Sequence, residues 1–179
     1  MRISSGVAKG HQLHIPAVPG LRPTKSMVRQ AIFSILGNIK GTRVLDIFAG
    51  SGSLGIEALS RGAIWADFVD INQEACTAIK QNVNYTRFRG KTEVHQISAE
   101  EYLTSCLPNQ YNIVLADPPY EFNIDHILVK LLRVLKDDSV VVYLHHRDAL
   151  PPSKISGLDY KETRKYGLTG VTFLTKVEN

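Results

Sequence analysis

The sequence predicts an α/β fold: a Rossmann-like, doubly wound sheet of seven strands with an antiparallel hairpin at one edge. Short apolar segments alternate with segments of helical periodicity from residue 43 onward. This alternation is typical of a parallel sheet covered by helices. A glycine-rich turn follows the first strand, as in sheets of this kind that bind nucleotides. The last two strands flank Gly167-Leu168-Thr169-Gly170, a sequence typical of a hairpin turn.

The seven predicted strands differ in composition. The third is interleaved with polar residues and should lie nearer an edge of the sheet. The fifth is rich in β-branched residues, which favour strands. The strands are expected at residues 43–47, 66–70, 92–97, 111–116, 139–144, 160–165 and 171–177.

Five helices are predicted from apolar residues at helical spacing. Thr24 and Gly37 fit the two ends of the first helix. Asn72 fits the N-cap of the third, and Ser98 with Glu101 has the spacing of a capping box at the start of the fourth. The helices are expected within residues 25–36, 54–61, 73–83, 98–103 and 124–135. Before them, residues 1–22 contain pieces of a β element that is too small to fold alone and should pack on the main body.

The composition fits a globular protein with a mild excess of positive charge. Hydrophobic residues make up 44% of the 179 residues, enough for a sizeable core. The formal charge of +4 suggests an anionic partner. No apolar run reaches the length of a membrane helix, and the N-terminus lacks the apolar core of a signal peptide, so we expect a cytoplasmic location. Cys76 and Cys106 lack metal-ligand spacing and are expected to be free thiols.

A nucleoside site is predicted after the first strand. Residues 50–55 read GSGSLG, which matches the pattern GxGxxG between a strand and a helix. Asp70 ends the next strand, where an acid can accept hydrogen bonds from ribose hydroxyls. This pairing does not separate NAD from S-adenosylmethionine. Asp46 favours the latter, because an acid in a buried strand needs a partner, either amides of the loop or an ammonium group of the ligand.

A second candidate site is the sequence DPPY at residues 117–120, after the fourth strand. Two prolines fix the backbone and remove two amide donors. A carboxylate, free carbonyls and an aromatic ring then lie at the carboxyl end of a strand, where ligands bind in such sheets. The group suits a flat molecule that carries an NH₂ group. The alternative is a turn that the prolines only stiffen.

Basic residues concentrate near the N-terminus. No acid occurs between Arg2 and Arg29. One interpretation is a solvated helix surface, and the other is a strip that faces nucleic acid. The one-signed charge favours the second interpretation. The residues of this strip are Lys9, His11, Arg22, Lys25 and Arg29.

Taken together, these features resemble the Rossmann-like S-adenosylmethionine-dependent methyltransferases, and the DPPY sequence resembles the branch that methylates exocyclic amines of bases. Over nearly the whole chain the sequence is similar to the RsmD family, which consists of bacterial guanine-N2 methyltransferases of small-subunit (16S) ribosomal RNA. The most family-specific part is the GLRPT sequence. The matching stretches are GLRPT at 20–24, VR at 28–29, LDIFAGSG at 45–52, LG at 54–55, EALSRG at 57–62 and DPPY at 117–120.

The resemblance implies a function, a cofactor and a set of site residues. The cofactor would be S-adenosylmethionine and the partner small-subunit ribosomal RNA, free or within a ribosomal particle, with no metal, no membrane and a monomeric enzyme. Residues 1–40 would form an extension that binds RNA and covers the cofactor, and residues 41–179 the Rossmann-like core. The implied cofactor-binding residues are Asp46, Phe48, Gly50, Gly52, Asp70, Ile71, Ser98, Ala99 and Asp117. The implied target-base residues are Asp117, Pro118 and Tyr120.

Two positions depart from the pattern of the family. Ser98 stands where many relatives have an acid or amide that contacts adenine, and it is either that contact or a helix N-cap. His145 stands where relatives often have an acid, and with His146 it is either a loop residue or an RNA contact. Metal binding is not expected there, since other ligands are missing nearby.

Three other functions stay open at this point. A DNA adenine-N6 methyltransferase would use the same acceptors, but it usually needs an added recognition domain, for which this chain has no room. A nucleotide-sensing RNA-binding module without catalysis would not need Asp117. An NAD-dependent enzyme would share the glycine loop. Covalent attack on a pyrimidine would need a cysteine nucleophile, and neither cysteine lies in a suitable strand-end loop.

Overall fold

A single seven-stranded sheet organises the chain. The structure is a computed structural model that describes residues 1–18, 24–149 and 155–177. The strands are β1 (Arg43–Ile47), β2 (Trp65–Asp70), β3 (Thr92–Gln96), β4 (Tyr111–Ala116), β5 (Leu135–His146), β6 (Leu158–Tyr166) and β7 (Thr169–Lys176). Their order in the sheet is β3-β2-β1-β4-β5-β7-β6. The first five run parallel, and β7 is antiparallel to both β5 and β6. The predicted fold class is therefore confirmed, with β3 at one edge as expected.

β5 begins earlier than predicted, at Leu135, and a bulge interrupts its pairing with β4. Tyr111 pairs with Leu135, but Ile113 pairs with Val140, so residues 136–139 bulge out of the ladder. Asp138 takes a positive φ of 57° within this bulge. The bulge contains three charged residues, so the first part of the strand shows no apolar pattern by which it could be predicted. The hairpin turn is shorter than predicted, since Tyr166 already pairs with Thr169.

Five helices lie between the strands. They are α1 (Ser26–Leu36), α2 (Ser53–Ser60), α3 (Gln73–Tyr85), α4 (Ala99–Ser105) and α5 (Asp125–Val134), with a short 3₁₀ turn at Arg89–Lys91. The Asn72 side chain accepts a hydrogen bond from the Ala75 amide, and Gly37 ends α1 with a φ of 68°, so both predicted caps are confirmed.

Thr24 is not the N-cap of α1, and that prediction was wrong. Lys25 occupies the cap position and makes no side-chain capping bond. The hydroxyl of Thr24 instead donates to a carboxylate far along the chain, that of Asp117. A local capping pattern cannot reveal such a partner, because 93 residues separate the two side chains.

Apolar side chains form one core on each face of the sheet. The first core lies beneath α1, α2 and α3, and the second beneath α4 and α5. The N-terminal segment adds Ile3, Ala8 and Leu13 to the first core. Its predicted β element is a short antiparallel pairing around a bridge between Arg2 and Gln12. The Ile3 amide donates to the His11 carbonyl at 3.0 Å and the Leu13 amide to the Met1 carbonyl at 2.7 Å. An element this small also needs its packing on the helices to stay in place.

Hydrogen bonds to α2 fix the N-terminal segment. The Glu57 carboxylate accepts from the amide and the hydroxyl of Ser4, at 2.9 and 2.6 Å. The Ser60 carbonyl accepts from the Val7 amide at 2.9 Å. A Cβ on Gly6 would overlap the backbone of Ser60, so this turn needs glycine both for its φ of 81° and for its close approach.

In the described part of the chain, the longest helices fall well short of what is needed to cross a membrane.

Candidate active site

The glycine loop joins β1 to α2 at the carboxyl edge of the sheet. Phe48, Gly50 and Gly52 all have positive φ, at 62°, 55° and 73°. The Gly52 amide donates to the Ala49 carbonyl at 2.7 Å, which closes a tight turn. Phe48 is the exception to the rule that such positions favour glycine, and its ring lies edge-on to Phe122 at 4.9 Å between centroids. This contact joins the loop after β1 to the segment after β4.

Asp46 is buried at the end of β1 and is held by the backbone. Its Oδ2 accepts from the Gly55 amide at 2.8 Å. Burial raises the pKa of Asp46 well above its usual range, the bond from Gly55 lowers it, and the negative charges of Asp117 and Asp70 raise it further. A positively charged group placed in this site would therefore stabilise the ionised form of Asp46.

Gly55, the last glycine of the motif, lets α2 approach the sheet. A Cβ on this residue would overlap the Phe68 ring and lie 3.1 Å from Asp46 Oδ2. Phe68 is fully buried on β2. The hydrogen bond between Gly55 and Asp46 thus depends on the absence of a side chain at residue 55.

Asp70 ends β2, and two backbone amides hold its carboxylate. Oδ2 accepts from Gly50 and Oδ1 from Asn72, at 2.8 and 2.9 Å. Each oxygen keeps further acceptor capacity. The next residue, Ile71, exposes 71% of its surface although it is apolar. The buried Cys76 thiol donates to the Asp70 carbonyl at 3.3 Å, and both cysteines are free as predicted.

These residues fit the cofactor that the sequence suggested. An acid with spare acceptor capacity suits a ribose diol, and an exposed apolar side chain beside it suits the face of an adenine ring. The buried acid of β1 suits a ligand with an ammonium group. The structure brings Asp46, Gly50 and Asp70 together through hydrogen bonds and adjacent strands.

Ser98 has the role of a helix cap. Its hydroxyl accepts from the Glu101 amide at 3.2 Å, and its backbone amide donates to the Glu101 carboxylate at 3.2 Å, which completes the predicted capping box at α4. The hydroxyl also donates to that carboxylate at 2.6 Å. These bonds hold the pKa of the Glu101 carboxyl below its usual value. The adjacent Ala99 is buried. Adenine contact by either residue stays a prediction.

Asp117 lies directly after β4, on the other side of β1 from Asp70. Its Oδ2 accepts from the Thr24 hydroxyl at 2.6 Å. Burial raises the pKa of Asp117 to about 6, and the bond from Thr24 lowers it. The carboxyl therefore changes its charge near neutral pH and can accept hydrogen bonds or a proton there.

The rest of the DPPY sequence is held by the hairpin strands and by its own turn. The Pro119 carbonyl accepts from the Phe122 amide at 2.9 Å. The Tyr120 hydroxyl lies 3.3 Å from the Thr169 hydroxyl of β7, and its ring meets His146 edge-on at 5.4 Å. One of the two carbonyls expected to be free is thus used within the turn.

His145 and His146 belong to β5 and not to a loop, which corrects that interpretation. His145 is 2% exposed, and its Nε2 lies 2.8 Å from the Thr172 hydroxyl. Burial lowers its pKa. A buried side chain cannot be an RNA contact, so only the half-buried His146 keeps that possibility.

The predicted basic strip is only partly at the surface. Lys9 and Lys25 are exposed, and His11 is half-buried with its Nδ1 2.9 Å from the Ala8 carbonyl. Arg22 lies outside the described residues. Arg29 is 0% exposed, so its assignment to an RNA-facing strip was wrong.

Arg29 is a buried link between the N-terminal segment and α2. Its guanidinium donates to the carbonyls of Thr24 and Arg2, and its Nε lies 3.8 Å from the Glu57 carboxylate. Glu57 also pairs with Arg61 at 2.9 Å. No local pattern indicates this burial, and only the acid on another helix explains why a cation is buried here.

Asn82 is a site residue that the sequence analysis did not single out. Its side-chain amide accepts from the His14 amide at 2.8 Å and donates to the carbonyls of His14 and Ser51, each at 2.9 Å. It therefore joins the N-terminal segment to the glycine loop. The available signal was a polar residue among the apolar positions of the predicted third helix.

One trio of potential metal ligands occurs within the described ranges: Asp67, Glu93 and His95. The Asp67 carboxylate already accepts from Tyr111 at 2.7 Å and pairs with Arg43 at 3.4 Å. The trio lies on strands β2 and β3 and shares no residue with the glycine loop or with DPPY. Only Asp67 of the trio is buried, and its bonds to Tyr111, Arg43 and His95 account for its position without an ion.

Comparison with known proteins assigns the chain to a family. A model of the family described as "Conserved hypothetical protein 95" matches residues 1–175. A Bacillus subtilis (strain 168) protein, provisionally named as the rRNA methyltransferase YlbH, is 35% identical over 98% of this chain and 99% of its own. Ribosomal RNA small subunit methyltransferase D of Escherichia coli (strain K12) is 33% identical over 80% of this chain and 73% of its own.

A solved structure shows the same fold. A hypothetical protein of Thermus thermophilus matches with a TM-score of 0.83 and 29% identity, over 99% of each chain. The fold is the Rossmann-like fold of the S-adenosylmethionine-dependent methyltransferases. Within that class, the chain belongs to the RsmD family of rRNA methyltransferases.

Proposed function

We propose that this protein transfers a methyl group from S-adenosylmethionine to the exocyclic N2 amine of a guanine in small-subunit ribosomal RNA. The observation that carries the proposal is Asp117: a carboxylate with a pKa of about 6, at the end of the strand next to the glycine loop, beside Tyr120. A relative named for small-subunit ribosomal RNA supports the choice of substrate.

The cofactor would lie over the carboxyl ends of β1 and β2. Asp70 would bind the ribose hydroxyls, with Ile71 against the adenine, and Asp46 would face the amino-acid part. Phe48, Gly50 and Gly52 would form the floor through their tightly turned backbone. When bound, S-adenosylmethionine supplies an electrophilic methyl group on a sulfonium centre. The surrounding residues then have to place the amine in line with it.

Asp117 would activate the amine by accepting its hydrogens. The lone pair of guanine N2 is delocalised into the ring, so the free amine is a poor nucleophile. Acceptors on its two N–H groups pull it toward tetrahedral geometry and direct the lone pair outward. Asp117 and the Pro118 carbonyl are those acceptors in our proposal, because the Pro119 carbonyl is already bonded to Phe122. Alignment of this kind supplies most of the acceleration.

The proton that the amine loses also needs an acceptor. A carboxyl with a pKa of about 6 is mostly ionised at pH 7, so it is available as an acceptor, and it is a stronger base than an unperturbed aspartate. The Thr24 hydroxyl holds one oxygen, Oδ2, which leaves Oδ1 for the amine. Thr24 thus orients the carboxylate and does not itself react.

Tyr120 would hold the target base by stacking. Contacts with Thr169 and His146 fix its hydroxyl and ring edge. Stacking of a base on an aromatic ring contributes about 1–3 kcal/mol. The base must leave any helical stack to reach this pocket, and unpaired RNA makes that step least costly. Lys9 and Lys25, both exposed, would bind phosphates near it.

The test is transfer of a tritiated methyl group to ribosomal RNA from cells that lack the gene, followed by mapping of the modified base. Free RNA, small-subunit particles and DNA are compared, and calorimetry with S-adenosylmethionine and NAD identifies the cofactor. We expect label in N2-methylguanine of small-subunit RNA. Label in adenine, label in DNA alone, or binding of NAD in place of S-adenosylmethionine would each refute the proposal. The choice between free RNA and particle, the monomeric state and the cytoplasmic location stay predictions.

A further inference from the structure

A second basic surface lies where α3 ends. It is formed by Lys9 and His11 of the N-terminal segment together with Tyr85, Arg87 and Arg89, and we call it the α3-end surface. The rings of His11 and Tyr85 meet edge-on at 5.3 Å between centroids, which brings the two segments together. Apart from the half-buried His11, these side chains are exposed. The surface therefore offers cations and an aromatic ring from two distant parts of the chain.

The charge around this surface has one sign. Residues 75–92 include Lys80, Arg87, Arg89 and Lys91 and no acid, and residues 1–45 also contain no acid. The next acid after the surface, Glu93, lies on the opposite face of the sheet beside Asp67 and His95. A surface without local carboxylates attracts polyanions, since nothing nearby neutralises the cations.

Arg87 occupies a position that favours glycine. The Phe88 amide donates to the Val83 carbonyl and the Arg87 amide to the Asn84 carbonyl, which is the Schellman pattern that ends a helix. Arg87 is the residue with positive φ in this motif, at 63°. A cation there complements the helix dipole, but a side chain at positive φ is strained. A strained, exposed arginine suggests a role beyond the fold.

Tyr85 provides an open aromatic face. The residue is 58% exposed, and its ring touches His11 only edge-on. Unpaired bases stack on exposed aromatic rings, while flanking cations bind the phosphates. A tyrosine between His11 and two arginines has the composition that this mode of binding needs.

The α3-end surface is connected to the active site through Asn82. This residue precedes Tyr85 by one turn of α3. Its side chain forms hydrogen bonds with His14 of the N-terminal segment and with Ser51 of the glycine loop. Beyond His14 the same segment leads to Thr24, which bonds to Asp117. His11 and His14, near the α3-end surface, and Thr24, which bonds to Asp117, thus all belong to the N-terminal part of the chain.

We propose that the α3-end surface binds unpaired RNA that flanks the target nucleotide. Arg87, Arg89 and Lys9 bind its phosphates, and one base stacks on Tyr85. This inference rests on the proposed RNA methyltransferase function and adds a second RNA contact to it. It assigns substrate binding to a helix end and a 3₁₀ turn that lie outside both sequence motifs.

The experiment compares Y85A, R87G and R89S with the control R164S. Arg164 is an exposed arginine on β6, at the opposite edge of the sheet, so its loss changes the net charge equally. Methyl transfer to ribosomal RNA is measured against RNA concentration at several salt concentrations. We expect Y85A to raise KM for RNA about tenfold, with kcat at saturation within twofold. Each arginine variant should reduce the salt slope by about 0.7, as for one phosphate on a single strand.

R87G separates the functional from the structural role of its residue. Glycine at positive φ relieves strain, so the variant should melt no lower than the unmodified protein while its KM for RNA rises. Unchanged KM and salt slope in R87G and Y85A would overturn the inference while the unmodified enzyme still methylates RNA. Loss of activity on ribosomal particles but not on free RNA would assign the surface to a ribosomal protein instead. An unmodified enzyme that methylates no RNA would refute the proposed function itself.

Discussion

The two halves of the active site hold their carboxylates in different ways. In the half formed by β1 and β2, backbone amides of neighbouring segments bond to Asp46 and Asp70. In the half formed by β4 and β5, a side-chain hydroxyl from the N-terminal segment bonds to Asp117, 93 residues away. The first, which we call the cofactor half after its proposed ligand, is therefore built by local sequence. The second, which we call the target-base half after its proposed ligand, depends on remote contacts.

This difference suggests how the two halves respond to ligands. Backbone amides in a tight turn are preorganised, so the cofactor half has little to rearrange. The target-base half is complete only when the N-terminal segment is in place. Because that segment also carries the exposed Lys9 and Lys25, RNA bound there as we propose would act on the position of Thr24 and, through it, of Asp117. The following predictions test this division between the halves, from the largest expected effect to the smallest.

Asp117→Ala should impair methyl transfer without weakening the binding of S-adenosylmethionine. We expect methyl transfer to fall by about 10²–10⁴, the range for a lost acid–base group. Affinity for S-adenosylmethionine should stay within a few fold, because Asp46 and Asp70 keep their own bonds. Single-turnover transfer and calorimetry measure the two effects. Unchanged turnover would remove Asp117 from the catalytic assignment.

Arg29→Ala should detach the N-terminal segment from α2. The change removes one of the two cations that pair with the buried Glu57 carboxylate and leaves the carbonyls of Thr24 and Arg2 without their donor. Loss of one partner from a buried ion pair costs about 3–5 kcal/mol. Chemical denaturation measures the free energy of unfolding. Lys25→Ala is the control: this exposed residue should leave stability within about 0.5 kcal/mol. Equal stability of both variants would contradict the burial of Arg29.

Gly55→Ala should lower both the stability of the protein and its affinity for S-adenosylmethionine. The added Cβ overlaps Phe68 and crowds Asp46, so we expect destabilisation of about 1–3 kcal/mol and weaker binding of S-adenosylmethionine. Thermal melting and calorimetry give the two values. Gly90→Ala is the matched control, because a Cβ there meets nothing within 4 Å and the backbone has no positive φ. If both alanine variants melt alike, the close approach of α2 is not what requires glycine.

Thr24→Val should change the pH dependence of the reaction more than its maximum rate. The carboxylate of Asp117 must be ionised to accept from the amine, so kcat/KM should fall as the pH drops through about 6. The hydroxyl of Thr24 lowers this pKa, so its loss should move the acidic limb to higher pH. Thr24→Ser should restore the original profile. A profile shared by all three proteins would mean that Thr24 does not orient Asp117.

The raised pKa of Asp117 also makes the stability of the protein depend on pH. The pKa of Asp117 is higher in the folded protein than in the unfolded chain, so folding favours the protonated form. Stability is therefore greatest below pH 4 as far as this residue is concerned, and it is lost as the pH rises from about 4 to about 6. Asp117→Asn, which stays neutral, should melt higher than the unmodified protein at pH 8 but not at pH 4.

The division also explains what could be predicted from the sequence. Strand periodicity, the glycine motif, the Asn72 cap and the Ser98 capping box are local patterns, and all of them correspond to observed structure. The doubly wound sheet with an antiparallel pair at one edge followed from the alternation of strands and helices and from the hairpin sequence. The start of β5 was missed because a charged bulge interrupts its apolar pattern.

The errors about the roles of single residues concern partners that are remote in sequence. Thr24 was assigned to a helix cap, Arg29 to a surface and His145 to a loop. Each residue in fact pairs with a group at least 27 residues away, on another element. Side-chain type and spacing show that a residue can form a hydrogen bond or an ion pair, but they do not identify its partner.

Asn82 illustrates how strongly such contacts restrict a position. Its side-chain oxygen accepts a hydrogen bond from the His14 amide, and its side-chain nitrogen donates to the carbonyls of His14 and Ser51. Aspartate would place a negative charge against those two carbonyls, glutamine would be one methylene too long, and leucine would leave three backbone groups without partners. In a complete substitution scan, residue 82 should therefore tolerate asparagine alone, as strictly as a catalytic residue, although it takes no part in the chemistry.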